Sequence, residues 1–501
     1  MELAFENKTA AVFREAAHCV KTVQETAEAV VPDTNDDIGK VVSIRTEILL
    51  KSKENTASGV CVEGEAEAAV LYITERADAV SFVKLSRKFT LDFDVPDMTE
   101  EDRTNIILTL TDAQARIVNP RKIAVTFSVT GELSVYTREN MLTGTFLPED
   151  IPEKGIHVKR EESGYTAVTA AVERSFAVTE QFAFPGGRAV PEKLIGAKAE
   201  FVIGDTQVIG TKAIARGELK IEAVYLPEGG VFPLRAEFSA PFSQIIETGE
   251  EQTELCVSNI ELCSRYFELT EAVNGEKMLT AELHALLETT CCVRGKCSYI
   301  ADAYSNLLPC TCLRRSVKRR EELRLYRAKL VSDGRIAVSE DCADILSILP
   351  TAYKPLYADG KLSGEAAFDI VYRSVQGELN AVRKTVSLQG ECEGKNIRII
   401  SAGLSEVYLR PEGGVIDVRA ALEVQYQSEE SAEQSAVVAL TLDGDAPYDF
   451  ASFPTLTIVR SEGEELWEYA RRYHSSVEEI EAVNSREEGY TDRLLLIPKS
   501  V

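Results

Sequence analysis

The chain has 501 residues, of which 55 are Lys or Arg and 81 are Asp or Glu, giving a formal charge of −26. That length exceeds what one hydrophobic core usually organises and predicts about three or four domains, while 45% hydrophobic and 27% charged residues exclude wholesale disorder and a fibrous chain. The charge has the wrong sign for neutralising phosphates, so nucleic-acid binding by the whole chain is disfavoured, and four histidines leave little for imidazole catalysis or metal binding.

The first residues, Met1-Glu2-Leu3-Ala4-Phe5-Glu6-Asn7, lack a basic region followed by an apolar run, so no secretory signal is expected. No run of about 18 uncharged apolar residues is present to span a membrane. A soluble cytoplasmic protein is expected, with eleven cysteines as free thiols. Residues 10–29 suit either an amphipathic helix or a paired strand.

Internal periodicity comes next. Gly64-Glu65 is followed by Tyr72, Gly217-Glu218 by Tyr225 and Gly364-Glu365 by Tyr372, at one spacing. The intervening alternate residues are apolar: Ala66, Ala68 and Val70, then Leu219, Ile221 and Ala223, then Ala366, Phe368 and Ile370. Period-2 alternation marks a strand with one buried face, and the tyrosines read as core anchors near strand ends. A second strand follows each: Ile123 to Val129, Leu279 to Leu287, and Ile416 to Tyr426. Asn119-Pro120, Pro227-Glu228-Gly229-Gly230 and Pro411-Glu412-Gly413-Gly414 supply turns. The pattern predicts three superposable, antiparallel, β-rich domains over 1–150, 151–312 and 313–427.

Toward the end of the second copy lie Cys291, Cys292, Cys297, Cys310 and Cys312. No C-x2-C pair occurs among them, so buried, reduced strand cysteines are the expectation, with no zinc. The run Arg314-Arg315, Lys318-Arg319-Arg320, Arg324, Arg327 reads either as a contact for an acidic partner or lipid head groups, or as a solvated face balanced by Glu321 and Glu322. Residues 428–454, acidic and rich in small side chains, read as a linker. From residue 455 the pattern changes to β-α-α-β: Leu466, Ala470 and Tyr473 share a helical face, and Ser476 with Glu479 forms a capping box. Trp467, the only tryptophan, is expected in the core of this small unit. Phosphate-loop, nucleophile-elbow and zincin motifs are absent, and no cofactor or enzymatic activity is expected.

Gly463-Glu464-Glu465-Leu466-Trp467, Ala470, Tyr473, Val477, Ile480, Asn484 and Leu495-Leu496-Ile497-Pro498 resemble a LysM module. The three upstream copies, with Asp302-Ala303-Tyr304-Ser305 closing the second, resemble SPOCS domains, and the combination is similar to the SipL-type spore-envelope proteins of clostridia. That resemblance implies a morphogenetic scaffold in the mother cell at the forespore surface. Its LysM module would contact the coat-basement ATPase SpoIVA or an equivalent coat protein. Glycan-binding LysM modules usually carry Gly-Asp-Thr-Leu in the first loop and Gly-Gln before the last strand. Here Gly463-Glu464-Glu465-Leu466 and Asp492-Arg493 stand instead, which favours a protein ligand over the alternative, peptidoglycan or N-acetylglucosamine. The expected binding groove is lined by Gly463, Glu464, Glu465, Leu466 and Asn484.

Overall fold

The computed structural model describes residues 2–56, 58–148, 155–185, 189–249, 253–352, 355–461, 463–484 and 494–499. It is mainly β, with 77% strand, 4% helix and two helices. No helix among the described residues is long and apolar enough to cross a membrane.

Strands β1 (Glu2–Ala4), β2 (Glu6–Val30), β3 (Ile38–Thr56), β4 (Gly59–Thr74), β5 (Val80–Asp94), β6 (Arg103–Asn119) and β7 (Lys122–Phe146) open the chain. Strands β3-β4-β5 form one antiparallel sheet, and β2, β7 and β6 lie side by side in another. Alternation turns one face of each sheet inward: Tyr72, Phe89 and Leu91 from the first layer share a core with Val125, Phe127 and Leu133 from the second.

The same order recurs twice. In the second block β8 (Ile156–Ala183) is followed by β9 (Pro191–Ile209), β10 (Lys212–Pro227), β11 (Leu234–Glu247), β12 (Leu255–Glu271) and β13 (Lys277–Ser305). Here β9-β10-β11 is the three-stranded sheet, and β8-β13-β12 is the other layer. The third block runs β14 (Cys310–Ala337), β15 (Cys342–Ala352), β16 (Leu356–Ala358), β17 (Lys361–Ser374), β18 (Leu379–Glu391), β19 (Arg398–Glu412) and β20 (Val415–Leu442). Its β15-β17-β18 meander is joined to β14 by one bridge, Val331 to Gln389.

Each Gly-to-Tyr segment is the middle strand of its meander: β4, β10 and β17. The tyrosines are buried, and Tyr72 and Tyr225 donate to the carbonyls of Asp36 and Ala189, both 36 residues upstream. The residue before each tyrosine points to the opposite face, as strand geometry requires. Leu71, Val224 and Val371 thereby meet in a further apolar cluster with Val42, Ile195 and Leu349, drawn from all three blocks. The molecule is therefore organised around the outer faces of its three meanders.

Four sequence readings are resolved or corrected. Residues 10–29 are strand, paired along their length with β7. Residues 428–442, read as linker, are the second half of β20, paired with β14 through Leu442. The basic run is that partner strand and divides between two roles: Arg320 pairs with Glu15 and Glu429, Arg319 donates to Gln434 and to the Leu142 carbonyl, and Arg314 pairs with Asp302, whereas Arg315, Lys318, Arg324 and Arg327 are exposed and Arg324 pairs with Glu322 at 2.6 Å, as the solvated-face reading expects. The cysteines disperse into separate cores, Cys291 beside Phe176 and Phe242, Cys292 beside Leu323, and Cys297 beside Tyr299. Strands β21 (Leu456–Arg460) and β22 (Leu494–Pro498) and helices α1 (Leu466–Arg472) and α2 (Val477–Asn484) complete the chain.

Candidate functional site at the C-terminal module

The terminal unit is built as its sequence pattern requires. Strands β21 and β22 pair antiparallel, and Trp467, Ala470, Ile480, Leu495 and Ile497 bury their side chains between the sheet and the helices. Helix α2 is capped by Ser476, whose Oγ accepts from the Glu479 N–H at 3.2 Å. Gly463 turns the chain into α1 at φ +83°, a conformation costly for residues with a Cβ.

The expected site residues fall into two groups. Gly463, Glu464, Glu465 and Leu466 lie together on the loop entering α1, the first three exposed and Leu466 half-buried. Glu464 pairs with Arg472 at 2.9 Å, and this contact raises the Arg472 guanidinium. Glu465 pairs with Lys159 of β8 in the second block, and that hydrogen bond raises Lys159 above its ordinary value. Asn484 does different work: its Nδ2 donates to the carbonyls of Ile480 and Leu496, and its Oδ1 accepts from the Leu496 N–H at 2.9 Å. These bonds tie α2 to β22 and occupy both ends of the amide, so Asn484 holds the groove's frame. Asp492 and Arg493, the other wall of the expected groove, lie outside the described residues.

What sequence reasoning missed is the seat of the module on the second block. Asp302, near the end of β13, accepts from Trp467 Nε1 at 2.9 Å, from Arg471 at 3.0 Å and from Arg314 at 2.5 Å. Two residues on, Tyr304 packs edge-on against Trp467 with ring centroids 4.8 Å apart, stacks on His157, and donates its hydroxyl to the Ser475 carbonyl at 2.8 Å. Burial, reinforced by Glu478 and Glu479, raises the Tyr304 phenol, and burial lowers His157. Trp467 is thus a core residue, as expected, but of a core shared with Tyr304. The phrase Asp302-Ala303-Tyr304-Ser305 carried the signal: a carboxylate and a phenol at the end of an otherwise apolar strand need partners.

A cavity of about 950 Å³ lies where the three blocks meet. Arg45, Glu47, Glu67, Glu222, Arg235 and Arg265 are among its lining residues. They pair with one another: Arg265 with Glu47 and Glu67, and Glu222 with Arg45 and Arg235. Matched in this way, they offer no excess of either sign to select a charged ligand.

Comparison with known proteins places one familiar region on this frame. The family described as SipL, SPOCS domain, matches residues 37–118, a span running from β3 to the end of β6 that contains the first Gly-to-Tyr strand. No curated protein and no solved structure matches the chain.

Proposed function

We propose that the protein is a non-enzymatic scaffold of spore coat and envelope assembly, with three SPOCS-like domains contacting coat proteins and a LysM-like module directing it to the forespore surface. The observation that carries this reading is the SipL, SPOCS domain match over 37–118. Recurrence of the same strand order in the second and third blocks supports extending the domain type to them, with the third reaching Leu442. The β-α-α-β order of the last segment supports the LysM-like assignment. Within this reading the expected partner is SpoIVA or an equivalent coat protein, met by the exposed rim around Glu464 and Glu465. A protein partner suits that rim better than a sugar, since its carboxylates act through screened charge and Asn484 has no amide group left to offer an N-acetyl sugar.

The test is a pair of retention assays with the full chain, one on immobilised SpoIVA and one on peptidoglycan, alongside a fluorescent fusion in sporulating cells. SpoIVA retention that weakens with salt, and loss of forespore localisation on deleting residues 455–501, are expected. Retention on peptidoglycan alone overturns the reading.

A further inference from the structure

Cys256 is the second residue of edge strand β12 and stands directly opposite Cys291 of β13. The two Sγ atoms are 3.3 Å apart, in a buried thiol–thiol hydrogen bond. Facing residues of an antiparallel pair have Cα atoms about 4.5 or 5.5 Å apart, and both spacings fall inside the range of about 4.4–6.8 Å that a disulfide bridges. Both side chains already point into one apolar core with Ala170, Phe176 and Phe242. Bond formation therefore needs the sulfurs to close by only about 1.3 Å, with no strand turned over. The adjacent Cys292 points to the other face of β13, toward Leu323, and does not compete.

We propose that Cys256 and Cys291 form a latent dithiol which a low-molecular-weight disulfide oxidises to a cross-strand bond, clamping β12 onto β13. Cys256 is the entry point, because it lies at the beginning of an edge strand and is 4% exposed, whereas Cys291 is fully buried. Its thiol loses a proton and attacks one sulfur of the small disulfide, releasing one small thiol and leaving a mixed disulfide. Cys291 then loses its proton and attacks the Cys256 sulfur, releasing the second small thiol. Two protein thiols are oxidised and one small disulfide is reduced to two thiols.

The bond would act beyond its own strand pair. Downstream on β12, Asn259 donates to the Ile106 carbonyl at 2.9 Å and Glu261 accepts from the Leu108 N–H at 3.1 Å. Both partners lie on β6, so the clamped strand is one of those that join the first block to the second. The inference is independent of the proposed role in spore assembly.

The experiment treats the full-length, folded chain with oxidised glutathione, then alkylates the remaining thiols in denaturant and maps peptides by mass spectrometry. The expected result is two fewer alkylated thiols than the eleven of the reduced chain, one linked peptide joining Cys256 to Cys291, and slower amide exchange along β12 than in the reduced protein. Cys256→Ser should abolish the linked peptide. A stable glutathione adduct on Cys256 with Cys291 still alkylated overturns the proposal. So does modification of half-buried thiols such as Cys392 while Cys256 and Cys291 both remain free. Wild-type mapping decides the matter even where a serine variant folds poorly.

Discussion

Gly64, Gly217 and Gly364 occupy matching places in their strands but differ in what surrounds them. A Cβ on Gly217 would lie 2.0 Å from the Val202 carbonyl oxygen, and one on Gly64 would meet the Phe89 ring at 2.2 Å and the Leu49 carbonyl oxygen at 2.9 Å. At Gly364 the nearest atoms are side-chain carbons of Leu422 and Pro355, at 3.3 and 3.4 Å. Backbone cannot step aside as a side chain can, so Gly217→Ala should destabilise by about 1–3 kcal/mol and Gly364→Ala by less than about 1 kcal/mol. Denaturant unfolding of the two variants checks the ranking. Asp302 offers a second test. Replacing it with Ala leaves Trp467 Nε1 buried without its acceptor and should cost the docked module about 1–3 kcal/mol, read as faster proteolysis between residues 443 and 455 with the β body intact. A third concerns Glu15. Burial alone would raise its carboxyl, but Arg398, Arg320 and the Ser134 hydroxyl outweigh that and hold it below the ordinary value of 4.5. A carboxyl lowered in the folded state contributes stability that is fully present above its unfolded pKa and is lost as pH falls through the folded one. Unfolding midpoints should therefore drop as pH falls below about 4.5, and Glu15→Gln should flatten that slope.

Strands β14 and β20 show what two charged stretches hide when each is read alone. Polar, acidic and small, residues 428–435 look unable to bury anything; Arg314 to Arg327 look like a surface patch. Paired, they complete each other: Lys318 stands opposite Glu433, Arg320 reaches Glu429, and Gln434 accepts from Arg319. Periodicity is a property of one strand, whereas the identity of its neighbour is set by contacts more than a hundred residues distant, so the Gly-to-Tyr strands were legible and this pairing was not. The seat of the terminal module escaped for the same reason, since Asp302 and Trp467 are joined only in space. The strand assignment predicts that Val437→Pro, at a fully buried position opposite Arg314 of β14, costs about 3 kcal/mol or more. Asp445→Pro, past the strand's end at Leu442, should leave the unfolding midpoint unchanged.

At the scale of the whole molecule, the three blocks meet through a common apolar cluster and a set of ion pairs. Val371 is fully buried in that cluster, so Val371→Asp places an unpartnered carboxylate where three sheets converge. The expected outcome is an expanded particle in small-angle scattering with strand content retained in far-ultraviolet dichroism, because each two-layer core is separate from the cluster. The short strand β1 pairs with β20, setting Glu2 opposite Thr441 and Ala4 opposite Ala439. Its partner is therefore made more than 430 residues after it. At about 5–20 residues per second, the ribosome delivers β20 roughly 20 to 90 s after β1. Throughout that interval the first block can build its own core, yet its leading residues have no sheet to join. A nascent chain thus leaves β1 without its sheet until translation has passed β20, and strand closure reports that the third block has been synthesised and folded.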